Sequence, residues 1–166
     1  EILYDRYAKM VYNKCRGFSK RDDEAEDLAQ DIFLKLFVKL KTFKGNSKFS
    51  TWLYAFTYNH CVNYVNRNTA KKIEKQSVDA THIQDSGYSI EDNDNDINQL
   101  KVDKLKEALE LITPEEKMIL LLKYQDYLSI KELTDILDIG ESAVKMRIKR
   151  AKEKLINVYN DNENER

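Results

Sequence analysis

Glycine and proline are scarce, four and one in 166 residues. With helix breakers so few and helix formers abundant, helices are the natural expectation. There are two cysteines, Cys15 and Cys61, and both sit inside apolar-periodic segments. A disulfide framework is therefore not expected; buried free thiols in a reducing cytoplasm are. The two histidines, His60 and His82, do not stand at metal-ligand spacing with them. His60 and Cys61 are adjacent and would point apart on a helix. No apolar run approaches the roughly 20 residues of a membrane span, the mean hydropathy is strongly negative, and no secretory signal is visible, so no membrane insertion is expected. The chain begins at Glu1 rather than methionine, and a few residues are expected ahead of it. A Gly-rich phosphate loop, an activated serine or cysteine and a metal box are all missing. An enzyme is not expected, nor a cofactor. A net charge of −1 argues against coating DNA by bulk electrostatics.

What is present is helix-forming sequence with segregated charge. Residues Lys35 to Lys48 hold five lysines and no acid, and Lys145 to Lys154 hold six cations and one acid. Between them, Asp85 to Asp96 hold five acids and no cation. The most unusual stretch is FKGNSKFSTWLYAFTYNHCVNYVNR, Phe43 to Arg67. A polar loop with Gly45, Asn46, Ser47 and Lys48 runs into a helix bearing Trp52, Tyr54, Phe56, Tyr58 and Tyr64, lined by Asn59, Asn63, Asn66 and Arg67. Flat rings suit unstacked bases, amides suit base edges and cations suit phosphates. Aromatics that simply pack a core would give the same string.

Amphipathic spacing predicts a first helix over Ile2 to Phe18, ending at Gly17. Asp23 with Glu26 reads as a capping-box-like start for a second. In it Leu28, Ile32, Leu36 and Leu40 share a face, leaving Asp27, Gln30, Asp31, Leu34 and Lys35 as an outer surface. That surface is either plainly solvated or a docking face for a partner helix. Ser47 or Ser50 is placed to cap the aromatic helix. Periodicity fades from Thr69, and Gln76 to Asn98 reads as a flexible acidic linker.

Beyond the linker, Leu100 to Leu111 is helical again. Thr113-Pro114-Glu115-Glu116 and Ser129-Ile130-Lys131-Glu132 are two further helix starts with capping boxes. The second of these helices is short and stops near Leu137. After the turn Asp138-Ile139-Gly140, a last helix places Val144, Ile148, Ala151 and Leu155 on one side. Its other side offers Ser142, Lys145, Met146, Lys149 and Arg150. This is the helix-turn-helix pattern, and lysine and arginine reach guanine edges or phosphates from a major groove. The tail from Asn160 is expected to fray. The expected fold is all-α, two small helical domains over residues 1–70 and 100–160, with a linker over 71–99 and a tail over 161–166.

Three blocks in register now resemble one family. AEDLAQDIF is similar to the region 2.2 signature of the extracytoplasmic-function group of bacterial sigma factors, FKGNSKFSTWLYAFTYN resembles their promoter-melting segment, and SIKELTDILDIGESAVKMRIKRAKEKL resembles their region 4. The resemblance covers nearly the whole chain. It implies a cytoplasmic protein that binds core RNA polymerase and directs it to promoters. Asp27, Gln30, Asp31, Leu34 and Lys35 would dock on the clamp helices of the largest polymerase subunit. The loop with Lys44, Asn46, Ser47, Lys48 and Phe49, beside Trp52, would capture a base flipped from the −10 element. Asn59, Asn63 and Arg67 would line that strand's path. Ser142, Lys145, Met146, Lys149 and Arg150 would read the −35 element. The acidic linker would thread towards the RNA exit channel. Three positions depart from the family pattern. Asp138 stands where glycine is frequent, Gly140 where serine is, and Met146 where a small residue is. Whether an anti-sigma factor holds the protein is left open by the sequence.

Energetics limit what such a chain does alone. Opening DNA costs about 1.4 kcal/mol per base step, and stacking one base on protein returns roughly 1–3 kcal/mol. One or two capture sites do not cover a bubble of many steps, so a subunit that needs core polymerase is expected. Two other readings compete. One is a helix-turn-helix regulator that binds duplex DNA unaided. The other is a nuclease using Asp22, Asp23 and Asp27 with a metal.

Overall fold

The computed structural model describes residues 2–75 and 101–164, all helix and connecting turns. Residues 76–99 of the expected linker and the last two residues of the predicted tail lie outside the described residues, whereas residues 71–75, expected in the linker, continue a helix instead. Helices α1 (Ile2–Arg16), α2 (Asp22–Lys39) and α3 (Phe49–Lys75) form an N-terminal bundle, with a 3₁₀ turn at Leu40–Thr42 before the polar loop. The C-terminal half holds α4 (Val102–Leu109), α5 (Pro114–Leu120), α6 (Ile130–Leu137) and α7 (Glu141–Asn164). Helices α4, α5 and α6 all pack on α7.

The helix starts show which local signals held. Thr113 and Ser129 each close a full capping box, accepting from the backbone N–H of Glu116 and Glu132 while those carboxylates accept from the cap N–H. The Asp23–Glu26 box does not form. Arg21 is the cap residue of α2 and its guanidinium binds the Asp23 carboxylate, which removes that group from the helix end. Neither Ser47 nor Ser50 is seen capping α3: the Ser47 hydroxyl donates to the Lys48 carbonyl, and that carbonyl takes the first helical N–H, from Trp52. Helix α3 runs to Lys75, past Thr69 where the pattern weakens, and α7 continues to Asn164, so the tail is helical that far.

One apolar core runs through both halves, from Val11, Ile32, Leu53 and Tyr58 to Leu122, Leu133, Val144 and Leu155. Burying such side chains is worth about 1.5–3 kcal/mol each. Cys15 and Cys61 are free and fully buried with their sulfurs 4.0 Å apart. Contact with Cys15 and burial together push the Cys61 thiol well above its usual range, so it is inert as a nucleophile. The halves are packed against each other through α3 with α5 and α6. Two lysines are buried at this junction. Lys14 of α1 donates to Asp126 at 2.6 Å and to the Tyr58 hydroxyl at 2.9 Å, and Lys117 of α5 donates to the Gly17 carbonyl at the end of α1. Burial pulls Lys14 below the usual lysine range, against the opposing pull of the Asp126 carboxylate.

Candidate nucleic-acid interface

The turn at Gly45, with φ of +73°, lets the 3₁₀ segment double back into α3. It leaves Lys44, Asn46 and Lys48 exposed, with Ser47 and Phe49 half-buried. Behind the loop stands a ladder of rings. Phe43 and Phe49 lie 5.3 and 5.7 Å from Trp52, which stacks on Phe56 at 5.3 Å, and Phe56 meets His60 edge-on at 4.5 Å. The positions 52, 56 and 60 recur every fourth residue and so share one helix face. Burial, then the nearby Lys35 charge, lowers the His60 pKa, which favours a neutral imidazole at the end of the ladder.

Of the five helix aromatics, Trp52, Phe56, Tyr54 and Tyr64 are half-buried, whereas Tyr58 is sealed in the core. Tyr58 is thus a packing residue and offers no face to a base. Phe43 and Phe56, to which the family resemblance gave no role, stand with Phe49 and Trp52 in this ladder, and their spacing from those two residues is the signal that marks them. Asn59, Asn63 and Arg67 are exposed along α3, with Asn59 beside Trp52 and Phe56. Loop and ladder form one wall of a cleft of about 930 Å³. Its other wall is the end of α6 and the turn to α7, including Thr134, Ile136, Asp138 and Gly140.

On α2, Asp27, Gln30 and Leu34 are exposed and Asp31 pairs with Lys35 one turn on. Leu34 is 69% exposed and Val38, one turn further, 75%, with Phe37 beside them. An unbroken apolar ridge flanked by charge is how a helix presents itself to a partner. Val38 was missing from the predicted set and belongs to this ridge.

Asp138 ends α6 in the left-handed conformation, φ 51°, which aspartate tolerates better than most residues. Gly140 then accepts the Val144 N–H at the start of α7. Val144, Ile148, Ala151 and Leu155 are buried as predicted, and Ser142, Lys145, Met146, Lys149 and Arg150 all stand exposed on the opposite stripe. Lys145 pairs with Glu141 at 2.7 Å, holding that carboxyl below its usual range. Among the described residues no cluster of three or more His, Cys, Asp or Glu is placed to hold a metal, and Asp22 and Asp23 are drawn to Arg16 and Arg21 instead.

The family model for Sigma-70 region 2 matches residues 3–71, and that for Sigma-70, region 4 matches residues 103–155. The chain is 30% identical to the ECF RNA polymerase sigma factor SigW of Bacillus subtilis (strain 168), over 92% of this chain and 84% of the relative. It is 29% identical to the ECF RNA polymerase sigma-E factor of Escherichia coli (strain K12), over 94% and 84%. Its fold resembles the sigma factor RpoE in complex with the anti-sigma factor NepR from Bartonella quintana, with a TM-score of 0.63 at 19% identity over 94% of this chain and 93% of that one. It also resembles CnrH in complex with the cytosolic domain of CnrY, with a TM-score of 0.61 at 18% identity over 96% and 86%. With both regions matched in order and a relative of this identity along nearly its whole length, the chain belongs to the extracytoplasmic-function group of the sigma-70 factors.

Proposed function

We propose that this sigma factor, acting in the cytoplasm with core RNA polymerase, divides promoter recognition between its halves. The observation that carries this is the placement of two unlike nucleic-acid surfaces on the two matched regions. The loop 44–49 and the ring ladder of Phe43, Trp52 and Phe56 take an unpaired base of the −10 element. Rings stack on any exposed base face, while Asn46, Ser47 and Lys48 supply the polar contacts that select one base. Asn59, Asn63 and Arg67 guide the strand along α3. Helix α7 lies in the major groove at the −35 element, where Lys145, Lys149 and Arg150 reach guanine edges or phosphates and Met146 meets a thymine methyl.

The α2 ridge of Asp27, Gln30, Asp31, Leu34 and Lys35, extended by Val38, docks on the clamp helices of the polymerase's largest subunit. The half-exposed ladder supports a stacking role, and the exposed α2 ridge supports the docking role. An anti-sigma protein is a further partner, by analogy with the RpoE–NepR complex. The protein performs no reaction of its own; the polymerase does the chemistry.

The test is co-purification with core polymerase, then run-off transcription from a promoter library. Retention of the polymerase and transcripts from promoters sharing a −10 and a −35 block are expected. Failure to bind core would overturn the reading.

A further inference from the structure

The first half of α7 carries one acid in an otherwise basic segment. From Glu141 to Lys152 the sequence holds five cations, Lys145, Arg147, Lys149, Arg150 and Lys152, and a single carboxylate, Glu141 itself. Glu141 is the first residue of the helix and is exposed, as are Ser142, Lys145, Met146, Lys149 and Arg150. Positions 141, 145 and 149 recur every fourth residue and so form one row. An acid there lowers general affinity for DNA, because it repels the phosphates that its neighbours attract. Its presence needs a reason. A negative charge does favour a helix N-terminus. Yet α5 and α6 meet that need with a glutamate at the third helical position, bonded back to the cap. Glu141 reaches forward instead: its Oε1 accepts from the Lys145 ammonium at 2.7 Å, one turn further along the row.

The hydrogen-bonding inventory of the stripe supplies the reason. Lysine and arginine only donate, and methionine offers a weakly accepting sulfur and a methyl group. Lys145, Met146, Lys149 and Arg150 therefore suit guanine N7 and O6 and a thymine methyl. They hold no strong acceptor for the exocyclic amine of cytosine or adenine. Glu141 provides one. The hydrogen bond from Lys145, then its charge, holds the Glu141 carboxyl below its usual range, so the group is ionised and only accepts. A carboxylate has about four lone-pair sites and an ammonium has three donors, so one bond between them leaves capacity on both. The pair sets a donor beside an acceptor. A G·C pair presents the complement in the major groove, with guanine O6 and N7 as acceptors and the cytosine amine as donor.

We propose that Glu141 is a specificity-determining residue of the −35 surface, accepting from the N4 amine of a cytosine while Lys145, held by the same carboxylate, donates to the guanine paired with it. This rests on the −35 reading above and deepens it. The tip of α7 then selects a base pair rather than gripping phosphate. Recognition helices read base edges with their N-terminal residues, and that is where Glu141 stands.

The test uses the full chain with core polymerase on a promoter library randomised across the −35 element, read by run-off transcription. Glutamine pairs with adenine N6 and N7 where glutamate accepts from cytosine. Glu141→Gln is therefore expected to move the preference at one position from cytosine towards adenine, changing the ratio of the two by at least about fivefold. The other positions are expected to keep their ranking. Glu141→Ala is expected to relax the same position without creating a new preference. Because Glu141 is exposed, both variants are expected to keep the helical circular dichroism signal. An unaltered base ranking in both variants, whatever happens to the melting temperature, overturns the proposal and leaves Glu141 a helix-end charge. A uniform gain across all −35 sequences overturns it as well, since the carboxylate then acts only by repelling phosphates. If the paired change Lys149→Glu with Arg150→Glu leaves −35 dependence intact, the −35 reading itself falls and the proposal falls with it.

Discussion

Along α7 the five predicted reading residues stand in solvent on one stripe, while the loop 44–49 faces a cleft walled on its far side by the α6–α7 turn. Both surfaces carry lysines and small polar groups, yet in the proposed function they meet different states of DNA. The α7 stripe is a rigid row on a helix anchored by Val144, Ile148, Ala151 and Leu155, and it suits a duplex groove that already exists. The loop is backed by rings and suits a base that exists in the open only after the duplex has been parted. The first surface is complete in the free protein. On the proposed reading, the second comes into use only when another source of free energy opens the DNA.

That contrast is sharpened first by the largest expected effect. Reversing the charge of Lys149 and Arg150 (Lys149→Glu with Arg150→Glu) removes contacts worth about 1–3 kcal/mol each. Run-off transcription from −35-dependent promoters is expected to be nearly abolished, with core binding in a pull-down unchanged; loss of core binding would break the division between the halves. Next, replacing Asn46, Ser47 and Lys48 by alanine is expected to relax preference at one position of the −10 element, costing about 1–3 kcal/mol of discrimination, the range of a single base contact. A promoter library read with the holoenzyme checks it, and a uniform loss across all −10 positions would deny the loop a capture role. Smaller still, Ser129→Ala removes one capping box and should lower stability by about 1 kcal/mol, seen as a lower melting temperature. The smallest effect has the opposite sign: Asp138→Gly relieves the left-handed residue and should stabilise by up to about 1 kcal/mol, with α7's DNA preference unaltered.

Much of this was legible in the chain itself, and the failures have physical reasons. The two capping boxes are local, three residues from donor to acceptor, and they formed as written. The expected Asp23 cap lost its carboxylate to Arg21, two residues away, a competitor that a capping pattern does not weigh. The aromatic stretch divided as a helix must: Trp52 and Phe56 fall on the cleft side, and Tyr58 turns inward to meet Lys14. The site surfaces on α2 and α7 could be read because exposure follows from the apolar stripe opposite. Lys14 and Lys117 could not, since in sequence they look like any solvated cation. Their partners in the opposite half, Asp126 and the Gly17 carbonyl, lie 112 and 100 residues away, and only the packing of one half on the other brings them together.

The central claim is that promoter recognition belongs to the complex with polymerase. Fluorescence anisotropy of one labelled promoter fragment, titrated at physiological salt with the free chain and then with the chain bound to core polymerase, tests it directly. The account predicts weak binding with little sequence preference by the free chain and tight binding that depends on both elements by the complex. Tight, sequence-specific binding by the free chain would contradict it.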